Sequence, residues 1–141
     1  MPPGGTEAYE AISRHYERQE NLVHALHFAR RQLPHARDHQ TGGTIHRIAR
    51  ILDRLGRPEE AGETREKGIR FLKDTLHPIK TQGGIFYGIM AGAYFELLRD
   101  HPRATRAQRV EAVRIASNYS TVSVPYRQSA EAWMRDEARE P

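Results

Sequence analysis

An all-α fold of paired helices is what this sequence predicts, on three observations. Apolar residues recur at spacings of three and four along nearly the whole chain, and no segment alternates for long in the manner of a strand. Helix-ending and helix-starting residues fall between the periodic segments, at Pro34, Gly56, Pro58, Pro78 and Pro102. Glycine pairs at Gly4-Gly5, Gly42-Gly43 and Gly83-Gly84 each stand just before an odd-numbered helix, spaced by 38 and 41 residues, and an internal period of that size signals a solenoid.

The elements follow in order. Tyr9, Ile12 and Tyr16, then Leu22, Leu26 and Leu33, predict helices near residues 6–19 and 21–33, the second ended by Pro34. Ile45, Ile48, Ile51, Leu52 and Leu55 line one face of a third helix from Thr44 to Leu55, stopped by Gly56. Pro58 suits the first turn of the fourth helix, because its missing N–H would be unpaired there anyway. Glu59 and Glu60 complement that helix's positive end. The fourth helix runs to about Leu76, before Pro78. A fifth is expected over residues 84–99, a sixth over 104–119 and a seventh over 125–138, with Ser123 or Pro125 near the start of the last.

Composition narrows the function classes. At 141 residues one domain is expected, with room for a single substantial core. Apolar residues make up 38% and charged residues 28%, and no apolar run approaches the ~18–20 residues of a membrane span. The opening MPPGGTEAYE has neither a basic start nor an apolar segment, so no secretory signal is expected. With no cysteine, disulfides, thiol chemistry and thiolate zinc sites are excluded, and a reducing cytoplasm is the expected location. The net charge of +4 permits an acidic partner, nucleic acid included.

Residues 44–72, TIHRIARILDRLGRPEEAGETREKGIRFL, resemble one tetratricopeptide repeat (TPR). Ile45, Ile48 and Leu52 stand at that family's large first-helix positions, Ala49 at the small residue beside them, and Leu55-Gly56 at its turn. Ala61 falls on its most characteristic alanine and Gly68 on its second small position. Small residues there let two helix backbones approach closely. Thirty-six residues upstream Tyr9, Ile12, Ser13, Tyr16 and Ala25 occupy the matching places, with Glu20-Asn21 in place of the glycine turn and Gln32 in place of the second small residue. Residues 85–119 make a weaker third unit, with Gly88, Ala91, Gly92, Phe95 and Ala112, and the stretch DHPRATRAQ lengthens its turn. No unit has the family's Trp, and its aromatic after the central alanine is Ala29 or Arg65 here. The resemblance implies a TPR-like, right-handed α-solenoid of about three antiparallel helix pairs. Its repeats would span about 6–38, 42–78 and 84–120, and a C-terminal capping helix about 124–138 would carry Trp133.

Such proteins hold an extended peptide or a partner helix on the concave face lined by the first helix of each pair. Carried over by position, that face offers Glu10, Arg14, Glu17 and Arg18, then His46, Arg47, Arg50, Asp53 and Arg54, then Phe86, Ile89, Met90 and Ala93. The partner-binding set is therefore expected to be Arg14, Arg18, His46, Arg47, Arg50, Arg54, Phe86, Ile89 and Met90. Arginines in a strip recognise carboxylates through charge-assisted hydrogen bonds, and an adjoining apolar patch suits an apolar anchor. Against this stands a blander reading: the arginines are a solvated face tied by local pairs, and Phe86 and Met90 are core under the C-terminal helix. The expected function is a non-catalytic protein-interaction module, an adaptor or an assembly subunit, that needs no cofactor. Replacing Arg47 and Arg50 with Glu is expected to abolish binding and leave the fold intact.

Two alternatives belong to other classes. A small basic helical protein could bind nucleic acid, although Lys67, Lys73 and Lys80 are the only lysines and Arg and Glu are interspersed. A helical bundle could hold metal or haem through some of the eight histidines, such as His24 with His27 or His35 with His39, yet the paired Glu-x-x-His pattern of a carboxylate bundle site does not appear. Catalytic signatures are missing: there is no phosphate loop, no HExxH, no nucleophile elbow and no cysteine nucleophile. The helix GIMAGAYFELL is apolar enough to be either a packed centre or a contact between two copies of the chain.

Overall fold

A computed structural model describes residues 5–76, 85–118 and 124–139, and among these the chain is all-helical, with no strand. The helices are α1 (Gly5–Arg18), α2 (Leu22–Gln32), α3 (Asp38–Arg54), α4 (Pro58–Leu76), α5 (Ile85–Asp100), α6 (Arg106–Asn118) and α7 (Val124–Arg139), with a 3-10 turn, Leu33–His35, after α2. Each helix except α3 begins within about two residues of its expected start. Pro78 and the pair Gly83-Gly84 lie outside the described residues.

The α3 boundary is corrected by six residues, from Thr44 back to Asp38. Gln40 Oε1 accepts the Arg37 N–H at 3.0 Å, and Asp38 places a negative charge on the first turn, so the helix starts well before the apolar face does. Gly42 and Gly43 are consequently helical and do not punctuate the chain. Gly42 is there for packing: a Cβ on it would lie 2.8 Å from Leu72 Cδ1 and 3.1 Å from the Ala93 Cβ, so α4 and α5 both crowd that point of α3.

Two tight turns join α1 to α2 and α3 to α4. After α3, the Arg57 N–H donates to the Leu52 carbonyl at 2.9 Å and the Gly56 N–H to the Asp53 carbonyl at 3.0 Å, with Gly56 at φ +73°. This pattern satisfies the last carbonyls of a helix and needs a left-handed residue at its corner. After α1 the Asn21 N–H reaches the Tyr16 carbonyl at 2.9 Å and the Glu20 N–H reaches Glu17 at 3.0 Å. Asn21 then caps α2, its Oδ1 accepting the His24 N–H. The start of α6 is closed reciprocally: the Thr105 N–H donates to Gln108 Oε1 at 2.8 Å and the Gln108 N–H to Thr105 Oγ1 at 3.1 Å.

Each helix packs on the next, and α3 also packs on α5, and α5 on α7. Helices α1 and α2 run antiparallel: Tyr16 meets His24 near the turn and Tyr9 meets His35 at the far end. Helices α3 and α4 do the same, because Gly68 faces Ile45 while Leu72 faces Gly42. Helices α3 and α5 run in the same direction, since Gly42 faces Ala93 and His46 faces Glu96 and Asp100.

The core has two parts. Ala25, Leu26 and Ala29 of α2 meet Ile48, Ala49, Ile51 and Leu52 of α3 and Ala61 of α4. The larger part surrounds α5, whose Met90, Ala93, Tyr94, Phe95, Leu97 and Leu98 are buried against Ile45, Leu72, Leu76, Ala112, Val113 and Ala130. Full burial of a Leu or Phe side chain stabilises by about 1.5–3 kcal/mol. The apolar α5 is thus a packed centre, its Leu97 and Leu98 inaccessible to solvent or nearly so. Trp133 of α7 packs edge-on to Phe95, with ring centroids 6.4 Å apart, and covers this cluster at the C-terminal end.

Candidate functional site

A cleft of about 560 Å³ lies where α1, the end of α2, α3 and the start of α5 converge. It exists because the α1 backbone packs on α2 and stands off from that of α3: among the described residues no Cα of α1 comes within 8 Å of one in α3. Side chains bridge the gap. Ser13 Oγ donates to the Ala25 carbonyl at 2.6 Å and accepts from Arg47 Nη2 at 2.8 Å. Arg47 Nη2 also reaches Glu17 Oε1 at 3.2 Å, and Arg54 reaches Glu17 Oε2 at 3.5 Å and Glu20 Oε2 at 2.6 Å.

The structure brings together Arg14, His46, Arg47, Arg50, Arg54 and Ile89 of the expected set, all lining this cleft. Arg18 is exposed and lies outside it. Met90 is in the α5 core and does not line it, because it falls on the helix side turned toward the larger apolar cluster. The Phe86 side chain lies outside the described residues. Gln32, His39, Gln40, Gly43 and Thr44 also line the cleft. Three of these, His39, Gln40 and Gly43, belong to the early turns of α3 that the apolar pattern does not register. Gln32 is a polar residue at a position expected to be small, and that departure was the one sequence signal pointing to it.

The cleft is electropositive. Its arginines, Arg14, Arg47, Arg50 and Arg54, face only Glu10 and Glu17 among lining carboxylates. Arg14 is paired with Glu10 at 2.9 Å. Arg50 is exposed and has no ion-pair or hydrogen-bond partner among the described residues. Arg47 is the inner cation, its side chain only 12% exposed. Burial pushes its guanidinium below the ordinary arginine value, Arg14 pushes the same way, and Glu17 offsets part of the effect.

Three lining side chains carry buried polar atoms with no hydrogen-bond partner among the described residues: Gln32 Oε1, Arg47 Nε and Nη1, and both ring nitrogens of His46. Gln32 is 4% exposed and His46 7%. His46 Nε2 is 3.1 Å from Glu96 Oε2, within ion-pair distance but outside hydrogen-bond geometry. Unpaired buried donors and acceptors each cost about 1–3 kcal/mol, and these atoms lie beneath the surface of the cleft.

Other charged clusters are structural in arrangement. Arg65 of α4, 4% exposed, donates to Asp53 Oδ2 of α3. Arg109 Nε and Nη2 donate to the Leu98 and His101 carbonyls at 3.0 and 2.7 Å and so cap α5. Among the described residues no group of three or more His, Asp or Glu side chains is placed to hold a metal ion. His24 and His27 are exposed, with the His24 ring tilted against that of Tyr16, centroids 5.0 Å apart. Among those residues, too, no helix is long and apolar enough to cross a membrane. No protein-family profile, curated protein or solved structure matches this chain.

Proposed function

We propose that this chain is a TPR-like, non-catalytic interaction module. Its cleft holds a segment of a partner protein that carries carboxylates and an apolar anchor. The observation that carries this reading is the convergence of Arg14, Arg47, Arg50, Arg54 and His46 with Ile89 in one cleft. The arginines supply charge-assisted donors to an acidic segment. Ile89, half-buried on α5, supplies the apolar contact.

Support for the repeat reading comes from equivalences at a spacing of 36 residues. Ser13 and Ala49 are both fully buried small residues, Ala25 and Ala61 are both inaccessible to solvent, and Glu20 and Gly56 both turn with positive φ. The shared direction of α3 and α5 fits a stack of helix pairs whose first helices line one face. A cleft assembled from helices that are already packed is preorganised, so the ordering cost of binding falls on the partner segment.

The test is affinity capture from a native lysate, nuclease-treated, with wild type and Arg50→Glu. Arg50 is the right position because its side chain is exposed and has no ion-pair or hydrogen-bond partner among the described residues. Arg47→Glu would place a buried carboxylate beside Glu17 and disturb the fold, so the expectation that the double Arg47/Arg50 variant stays folded gives way to the single change. A partner protein retained by wild type and lost with a normally folded Arg50→Glu supports the reading. Recovery of nucleic acid alone, with binding that falls steeply as salt rises, would replace it with the nucleic-acid reading.

A further inference from the structure

The cleft already contains one carboxylate in the place where the proposed ligand's charge belongs. Glu17 stands between Arg47 and Arg54, its two oxygens 3.2 and 3.5 Å from their guanidinium nitrogens. Both distances exceed the ~2.7–2.9 Å of a well-made charge-assisted bond. Glu17 also belongs to the last turn of α1, where the helix dipole disfavours a negative charge. Its side chain is 32% exposed, at the edge of the cleft and able to reach solvent. Arg47, in contrast, keeps two nitrogens buried and unpartnered even with Glu17 in place. The Glu17 carboxylate is thus a loose neutraliser of an inner cation whose donors exceed what it accepts.

We propose that Glu17 is a built-in competitor for the cleft: its carboxylate occupies the Arg47–Arg54 position that a carboxylate of the bound segment takes, and it turns out to solvent when that segment enters. This rests on the reading of the cleft as an acidic-segment site. It makes Arg47 the primary carboxylate-binding cation, with Arg54, which keeps Glu20 at 2.6 Å through its other nitrogen, beside it, and leaves Arg50 as the outer cation. It also makes Glu17 a brake on affinity, so that weakly acidic segments are rejected because they do not displace it. Ser13, which holds Arg47 Nη2 at 2.8 Å, keeps the guanidinium in position during the exchange.

The test uses the full chain and an array of 12-residue peptides in which Asp, Glu, Leu and Phe vary, with Asn/Gln versions of each acidic peptide as controls. Glu17→Gln is expected to bind the best acidic peptide about two- to fivefold more tightly than wild type, the range one exposed ion pair commands. The Asn/Gln control should be unaffected, and Arg54→Gln should weaken the acidic peptide. In wild type, the Glu17 carboxylate carbon resonance should shift on adding the acidic peptide, a readout that holds even if Glu17→Gln folds poorly. Wild-type binding to acidic peptides that Glu17→Gln leaves equal or weaker, with an unmoved Glu17 resonance, overturns the competition and leaves the cleft reading standing. Failure of both proteins to discriminate acidic peptides from their Asn/Gln controls overturns both.

Discussion

Glu20 takes, in the α1–α2 turn, the backbone conformation that Gly56 takes in the α3–α4 turn. Their φ angles are +60° and +73°, and in each turn the following N–H closes back on the carbonyl five residues earlier at 2.9 Å. Only glycine adopts this conformation without a steric cost, which for another L-residue is about 1–2 kcal/mol. The Glu20 carboxylate recovers part of that by pairing with Arg54 at 2.6 Å, but it is 72% exposed, and exposed pairs contribute about 0–1 kcal/mol.

Glu20→Gly is accordingly expected to stabilise the chain by about 0.5–1 kcal/mol, because relieved strain exceeds the lost exposed pair. Urea unfolding followed by circular dichroism measures it. A lower midpoint in the variant would show that the Arg54 pair outweighs the strain.

Gly68 and Gly62 lie on the same helix and are predicted to respond oppositely to alanine. A Cβ at Gly68 would sit 2.7 Å from Ile45 Cγ2 and 2.9 Å from Leu97 Cδ1, whereas one at Gly62 meets nothing within 4 Å. Overpacking costs about 1–3 kcal/mol, and the helix-propensity gain of Gly→Ala is about 1 kcal/mol. Gly68→Ala is therefore expected to lower stability by up to about 2 kcal/mol, because the β-branched Ile45 cannot turn its Cγ2 away, while Gly62→Ala raises it by about 0.5–1 kcal/mol. Thermal melts of the two variants side by side decide it.

Helices α4 to α7 were legible because proline and apolar spacing mark their ends, and the Gly56 turn because its residue type states its backbone conformation. Glu20 hides the same turn behind a residue that rarely adopts it. The start of α3 was not legible, since Asp38 to Gly43 carry no apolar periodicity and Gly42 there serves packing. Much the same holds for the cleft. First-helix positions point to Arg14, Arg47, Arg50, Arg54, His46 and Ile89, but Met90 differs from Ile89 by one position, which on a helix is about 100° of rotation. Arg47 and Arg50 look equivalent in sequence, yet the gap between α1 and α3 buries one and exposes the other.

The Asp53–Arg65 pair joins α3 to α4 at a point where the arginine is 4% exposed and the aspartate 41%. Asp53→Asn is expected to destabilise by about 1–3 kcal/mol, less than a fully buried pair because solvent reaches the aspartate. Arg65→Met in the same background should restore part of that loss, since it removes the uncompensated buried charge and keeps an unbranched apolar side chain in its place. Denaturation midpoints of the two single variants and the double variant test this. Additive losses in the double variant would mean that Arg65 contributes mainly through packing of its stem.

His101, 6% exposed at the end of α5, makes stability depend on pH. Burial lowers its pKa below the ordinary 6.5, and Arg65 and Arg103 lower it further, while Glu66 at 3.5 Å offsets part of the shift. The unfolded chain therefore takes up this proton at a higher pH than the folded one. The stabilisation is complete above 6.5 and is lost as pH falls through 6.5 toward the folded-state value. Asp100 acts in a lower window: its burial would raise its pKa, but Arg99, His46 and Arg65 together hold it below 3.8, so its contribution is lost only in stronger acid. Melting temperatures recorded from pH 8 to pH 5 should fall on acidification in wild type, and the fall should be smaller in His101→Gln. An equal slope in the two proteins would assign the pH dependence elsewhere.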